Sequence, residues 1–130
     1  MVLPDTSVWI AYFRSSSGIE GDHLETLIGE GEVSVCGPVL AELLGGAGEA
    51  QRASIMEAVG DLPWADLDRA SWQDVGTVAR RLRQAGQTLP LTDLTIAVAA
   101  ARAGHAVWSL DTDFDRIAPA LEGLELYRPA

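Results

Sequence analysis

Four acidic residues stand out by where they fall along the chain. Asp5 ends a short apolar start, Val2-Leu3, and Asp111 ends another apolar run over residues 105–110. Glu42 sits among the apolar residues of 38–46, and Asp93 opens an alanine-rich stretch over 93–103. Carboxylates gathered in one pocket repel one another unless cations stand between them. Hard cations such as Mg²⁺ and Mn²⁺ prefer oxygen donors. Acids without His or Cys therefore make the donor set of a phosphoryl-transfer centre, where metal ions hold the phosphate, activate water and stabilise the leaving oxygen. Each acid also has a plainer reading. Asp5 before Thr-Ser suits a turn or helix cap. Asp93 suits the first turn of a helix, where the dipole favours negative charge. Glu42 alone is a surface charge, and Asp111, Asp113 and Asp115 alone are an acidic turn. The combination of all four favours chemistry.

The elements that must bring them together can be read from apolar patterning. Val2-Leu3 reads as a buried strand ending in Pro4-Asp5-Thr6-Ser7, followed by a short helix through Val8, Trp9, Ile10, Tyr12 and Phe13. Residues 15–18 read as a loop. Leu24, Leu27 and Ile28 have helical spacing that ends at Gly29 and Gly31. Residues 33–36 read as a strand, and Pro38 suits the first turn of the helix that follows. Ala53, Met56 and Val59 suggest a further helix, and Leu62-Pro63-Trp64 a short extended piece. Trp72, Val75, Val78, Ala79 and Leu82 make an amphipathic helix stopping near Gly86. Residues 87–91 read as a loop, 93–103 as a helix ended by Gly104, 105–110 as a strand, 111–115 as a polar turn and 124–127 as an edge strand. Alternating strands and helices predict a central parallel sheet covered by helices, an α/β/α sandwich. In such a sheet the carboxyl ends of the strands share one edge, where open α/β folds place their sites. Asp5, Glu42, Asp93 and Asp111 all fall on that edge.

The chain has 130 residues, 48% of them hydrophobic, which suits one compact domain over 1–130. No apolar run approaches the roughly 20 residues of a membrane span, and the start lacks the pattern of a secretory signal. Cys36 is the only cysteine, which excludes an internal disulfide and a thiolate zinc site and points to a reducing cytoplasm. The net charge of −10 argues against nucleic acid as a partner, an objection that bound cations and local charge distribution soften. All nine basic residues are Arg. Arg80, Arg81 and Arg83 form a local basic group, or simply a solvated helix face. Trp9, Trp64, Trp72 and Trp108 lie in apolar patterns and suit packing better than base stacking. His23 reads as a surface helix residue, His105 as the polar start of a strand, and Cys36 as a small core residue.

The segments LPDTSVWI at 3–10, PVLAELLGG at 38–46, LTDLTIAVAAARAGHAVWSLD at 91–111 and DTDFDRI at 111–117 together resemble the PIN-domain ribonucleases, and within them the VapC-type toxins of toxin–antitoxin modules. The resemblance spans essentially the whole chain. It implies a Mg²⁺- or Mn²⁺-dependent endoribonuclease with Asp5, Glu42, Asp93 and Asp111 as the metal-holding quartet. Asp113 would be an auxiliary acid, and Thr6 and Ser109 supporting hydroxyls. It further implies in-line attack by a metal-bound water, leaving a 5′-phosphate and a 3′-hydroxyl, with a homodimer and a cognate antitoxin as partners. An antitoxin segment would be expected to offer an Arg to the carboxylates. Arg80, Arg81, Arg83 and Arg102 are candidates for RNA phosphate contacts. Three rival readings exist. An aspartyl phosphatase or phosphotransfer domain would use Asp5 as nucleophile but generally needs a Lys, which this chain lacks. A catalytically silent binding module would have no need of the full set of acids. A related DNA nuclease would usually carry additional basic elements.

Overall fold

The computed structural model describes residues 1–14 and 18–129, so the expected loop at 15–18 lies, but for Gly18, outside the described residues. Strand β1 (Val2–Pro4) leads into helix α1 (Thr6–Arg14), then α2 (Ile19–Gly29), β2 (Val35–Cys36), α3 (Gly37–Gly45), α4 (Glu49–Val59), β3 (Trp64–Ala65), α5 (Arg69–Gln84), α6 (Leu91–Ala103), β4 (Ala106–Trp108), α7 (Asp113–Ile117), a single 3₁₀ turn (Ala118–Ala120) and β5 (Glu125–Leu126).

All strand pairs are parallel. β1 pairs β4 in the register Val2–Ala106, Leu3–Val107 and Pro4–Trp108, and β4 pairs β5 through Ala106–Glu125 and Val107–Leu126. β2 pairs β3 through Val35–Trp64 and Cys36–Ala65. A bridge between Val2 and Val33, with Val2 N–H donating to Glu32 O at 2.8 Å and Ser34 N–H to Val2 O at 2.9 Å, joins the two halves. The order is thus β3-β2-β1-β4-β5. Parallel strands need crossovers, and right-handed crossovers put the connecting helices on the face dictated by the direction of travel. The chain runs β1 to β2 to β3 one way and β3 to β4 to β5 the other. Helices α1–α4 therefore cover one face and α5–α7 the other, matching the observed packing of α1 on α2 and α3, and of α6 on α5 and α7. This is the expected three-layer sandwich. Its direction reverses at the carboxyl ends of β1 and β4, the crevice where such sheets bind ligands.

Burial explains the element types. Leu3, Val35, Val107 and Trp108 are buried between the helical layers, as the continuous apolar runs of a two-faced parallel sheet require. In α6 every residue from Leu94 to Ala100 is buried. A helix enclosed on all sides needs no amphipathic stripe, and its alanines allow the close approach. Gly104 ends it in the left-handed conformation at φ 74°, which a side chain would resist. Among the described residues no helix is long and apolar enough to cross a membrane.

Several boundaries differ from expectation. Helix α6 starts at Leu91 behind Pro90, so Asp93 lies inside its first turn instead of opening it. The expected polar turn at 111–115 closes early, because Phe114 and Ile117 are buried and wind Asp113–Ile117 into α7. The extended piece near Pro63 pairs as Trp64–Ala65. Helix α5 starts at Arg69, fixed by Asp68, whose Oδ1 accepts Ser71 N–H at 2.8 Å.

Candidate active site

Asp5 follows β1 directly, and its N–H donates to Trp108 O of β4 at 2.8 Å, holding the two strand ends together. Its side chain is only 3% exposed. Oδ1 accepts Ser7 Oγ–H at 2.5 Å and Val8 N–H at 3.3 Å, the latter in the manner of a helix cap. Oδ2 accepts Ser109 Oγ–H at 2.6 Å. Burial pushes the Asp5 carboxyl above the usual range; the bonds from Ser109, Ser7 and Val8 act in the other direction, and the charge of Asp111 adds to the rise.

The β4–α7 connection brings the second group of acids. Asp111 N–H donates to Ser109 Oγ at 3.1 Å, and Asp113 N–H to Asp111 Oδ1 at 2.9 Å. Asp93 reaches the same place from the first turn of α6. Its carboxyl is pushed up to about 7 by burial, by a side-chain hydrogen bond with Asp113 and by the charges of Asp111, Asp113 and Asp5. Asp5, Asp93, Asp111 and Asp113 thus lie in one electrostatic cluster assembled from three distant parts of the chain. Glu42 is exposed on α3 and is tied to the cluster's edge by Thr6 Oγ1–H, which donates to Glu42 Oε1 at 2.5 Å.

The donor chemistry suits a hard cation: every cluster member is a carboxylate, the hydroxyls around them are neutral, and no protein cation is bonded to Asp5 or Asp93 among the described residues. Among the described residues no three Asp, Glu, His or Cys groups already surround a common point at ligand distance.

The arginines are placed apart from this cluster. Arg102 sits in the last turn of α6, roughly 13 Å along the helix from Asp93 at 1.5 Å per residue, and pairs with Asp74 at 2.8 Å and Asp68 at 3.8 Å. Arg81 donates to Ala120 O at 3.1 Å. Arg80 is exposed on α5. Arg83 lines a cavity of about 130 Å³ with Gln87, Thr88, Leu91 and Leu94, beside the helix start that carries Asp93.

Other expectations hold in part. Trp9 and Trp108 are core residues, whereas Trp64 and Trp72 are each 51% exposed. Cys36 is buried, and burial pushes its thiol to about 11. His23 is not a plain surface residue: it is half-buried, its Nε2 lies 2.5 Å from Tyr127 Oη, and its ring meets Trp108 edge-on. His105 Nδ1 bonds Ser34 Oγ at 2.8 Å. Neither imidazole is bonded to the acidic cluster. Ser7 was the residue missed. Its only sequence signal is its place two residues after Asp5 at a helix start, where a hydroxyl reads as a capping residue.

Fold and site together define an α/β protein with an all-oxygen acidic centre at the switch point of a parallel sheet. The family model for the PIN domain matches residues 2–119, and the chain belongs to that family. It is 33% identical over 123 residues to the ribonuclease VapC11 of Mycobacterium tuberculosis, covering 91% of this chain and 92% of that protein. Among solved structures it resembles DNA-bound VapBC from Salmonella typhimurium, with a TM-score of 0.79 at 19% identity over 97% of this chain and 96% of that one. It also resembles VapBC-5 of Mycobacterium tuberculosis, a member of the VapBC family of toxin–antitoxin systems, with a TM-score of 0.71 at 27% identity over 98% of this chain and 97% of that one.

Proposed function

We propose that this chain is a Mg²⁺- or Mn²⁺-dependent endoribonuclease, the toxin of a toxin–antitoxin pair, forming a single domain over 1–130 that acts in the cytoplasm. The observation that carries this reading is the convergence of Asp5, Asp93, Asp111 and Asp113 at the switch point, with the Asp93 carboxyl pushed up to about 7. Ribonucleases of the VapC type, to which the chain is similar over nearly its whole length, supply RNA as the substrate class.

Asp5, Glu42, Asp93 and Asp111 would hold the metal, with Asp113 as the auxiliary acid. When bound, the ion supplies an activated water for in-line attack and offsets charge on the leaving oxygen. The chain's own residues set the stage for that chemistry. Ser7, Ser109 and the Val8 N–H fix Asp5 in one orientation. Thr6 holds Glu42. Asp93 gives up its proton near neutral pH, which leaves its carboxylate available to a cation. With the nucleophile supplied by the metal, the RNA 2′-hydroxyl would not attack, so the expected ends are a 5′-phosphate and a 3′-hydroxyl. The chain lacks the Lys an aspartyl phosphatase generally needs.

The partners are a cognate antitoxin and a second copy of this chain. A net charge of −10 favours a basic antitoxin segment, and an Arg from it would pair with the carboxylates. A groove of about 630 Å³ between α1, α3 and α4, lined by Ile10, Phe13, Leu43, Ala47 and Ile55, offers that partner an apolar seat. Incubating the partner-free chain with structured RNA tests the proposal. Cleavage in Mg²⁺ or Mn²⁺, none in EDTA, and 5′-phosphate products are expected. Cleavage that survives EDTA and leaves 2′,3′-cyclic phosphates would overturn it.

A further inference from the structure

We propose that Ser7 is a positioning residue that couples the orientation of the Asp5 carboxylate to the β4–α7 connection carrying Asp111. The inference rests on the metal-dependent reading above and deepens it.

Both oxygens of Asp5 are held by hydroxyls in matching fashion. Ser7 Oγ–H donates to Oδ1 at 2.5 Å, and Ser109 Oγ–H donates to Oδ2 at 2.6 Å. Each hydroxyl in turn accepts a backbone N–H from the same short connection: Leu110 N–H reaches Ser7 Oγ at 3.1 Å, and Asp111 N–H reaches Ser109 Oγ at 3.1 Å. A hydroxyl has a single hydrogen. Because the backbone contact is a donor, it can only occupy a lone pair, so the hydrogen is left to point at Asp5. The direction of both bonds is fixed by the fold.

The two arms are not equivalent. Ser109 lies in the same segment as its N–H partner, so its arm ties Asp5 to the chain beyond β4 by a local turn. Ser7 belongs to the first turn of α1, and its bond to Leu110 N–H crosses from α1 to that segment. It is a second side-chain link, beside the Ser109–Asp5 bond, between the loop after β1, which supplies Asp5, and the loop after β4, which supplies Asp111 and Asp113. Without its hydroxyl, Oδ1 keeps only the 3.3 Å contact with Val8 N–H, and Leu110 N–H loses its acceptor. The carboxylate is then oriented by one hydroxyl, that of Ser109, and the segment carrying Asp111 loses one of its two ties to it.

Residues that orient metal ligands typically affect metal affinity about 10–100-fold when removed. The test is Mn²⁺ affinity, read from the free-ion electron paramagnetic resonance signal, in the wild type, Ser7→Ala and Ser7→Thr. Metal-free melting temperature and hydrogen exchange at the Leu110 amide are measured alongside. Ser7→Ala should bind Mn²⁺ at least about tenfold more weakly and lose protection at Leu110. Ser7→Thr keeps the hydroxyl at a half-buried position and should stay within about threefold of the wild type. A merely structural Ser7 would lower the melting temperature and leave the Mn²⁺ affinity unchanged, and that result overturns the proposal. If Ser7→Ala does not fold, Ser7→Cys, nearly isosteric but a weak donor, replaces it; wild-type affinity there overturns the proposal equally. A wild type that binds no Mn²⁺ would instead overturn the metal-dependent reading itself, and the coupling with it.

Discussion

Asp93 is the residue whose protonation matters most at neutral pH. In an unfolded chain an aspartate loses its proton near pH 3.9, roughly, while in the folded protein burial, the Asp113 hydrogen bond and neighbouring negative charges hold it until about 7. Between these values the folded state binds more protons than the unfolded one, so raising the pH costs stability. The metal-free protein should therefore melt at progressively lower temperature from pH 4 toward 7, and Asp93→Asn should flatten that slope and melt higher at pH 7. A calorimetric pH series on both proteins checks this, and parallel slopes would contradict it. Metal and proton compete for the same oxygens, so Mn²⁺ affinity should climb with pH and level off above about 7. In sequence, Asp5 admits both a cap reading and a site reading, and the fold uses it as both: Val8 N–H takes Oδ1 as a helix cap while Ser7 and Ser109 hold the same carboxylate at the site. One side chain starts α1 and joins the cluster.

Helix α6 positions Asp93 by being enclosed. Ala97, Ala99 and Ala100 are fully buried, so a larger side chain there must push the helix away from the sheet. Ala99→Leu should cost about 1–3 kcal/mol by overpacking, measured by urea unfolding, and should lower cleavage by displacing Asp93. An unchanged stability would mean the packing is looser than it looks. Long elements such as α5 and α6, and the strand ends carrying Asp5 and Ser109, were legible because apolar runs and glycine stops mark them. Helix α7 was not: an acidic run reads as a turn until Phe114 and Ile117 find a core to enter, which is tertiary information. The same holds for the His23–Tyr127 contact, which joins α2 to the segment after β5 across 104 positions. The groove between α1, α3 and α4 was equally invisible in sequence, since Ile10 and Phe13 look like core residues but are 44% and 36% exposed. Ile10→Asp should weaken antitoxin binding by about tenfold or more, as loss of a central apolar anchor does, while leaving RNA cleavage intact. Calorimetric titration with the antitoxin, beside a cleavage assay, separates the two.

With a net charge of −10, the molecule is strongly acidic for one proposed to cut RNA. The clustered carboxylates account for part of that charge, and Arg102 and Arg116 are paired with acids instead of forming an open basic face. Long-range repulsion of RNA is relieved by salt. Cleavage efficiency should therefore change by no more than about threefold between 50 and 200 mM monovalent salt, where basic nucleic-acid binders lose orders of magnitude. A steep loss would reveal a basic contact surface not evident in the fold. The proposed function requires the Asp5–Asp93–Asp111 cluster to cut RNA with a bound metal. The most direct test is single-turnover RNA cleavage in Mn²⁺ by the wild type and Asp93→Asn, each confirmed folded by melting. The expected result is metal-dependent cleavage by the wild type and a loss of about a thousandfold or more in the variant; equal rates in the two proteins would contradict it.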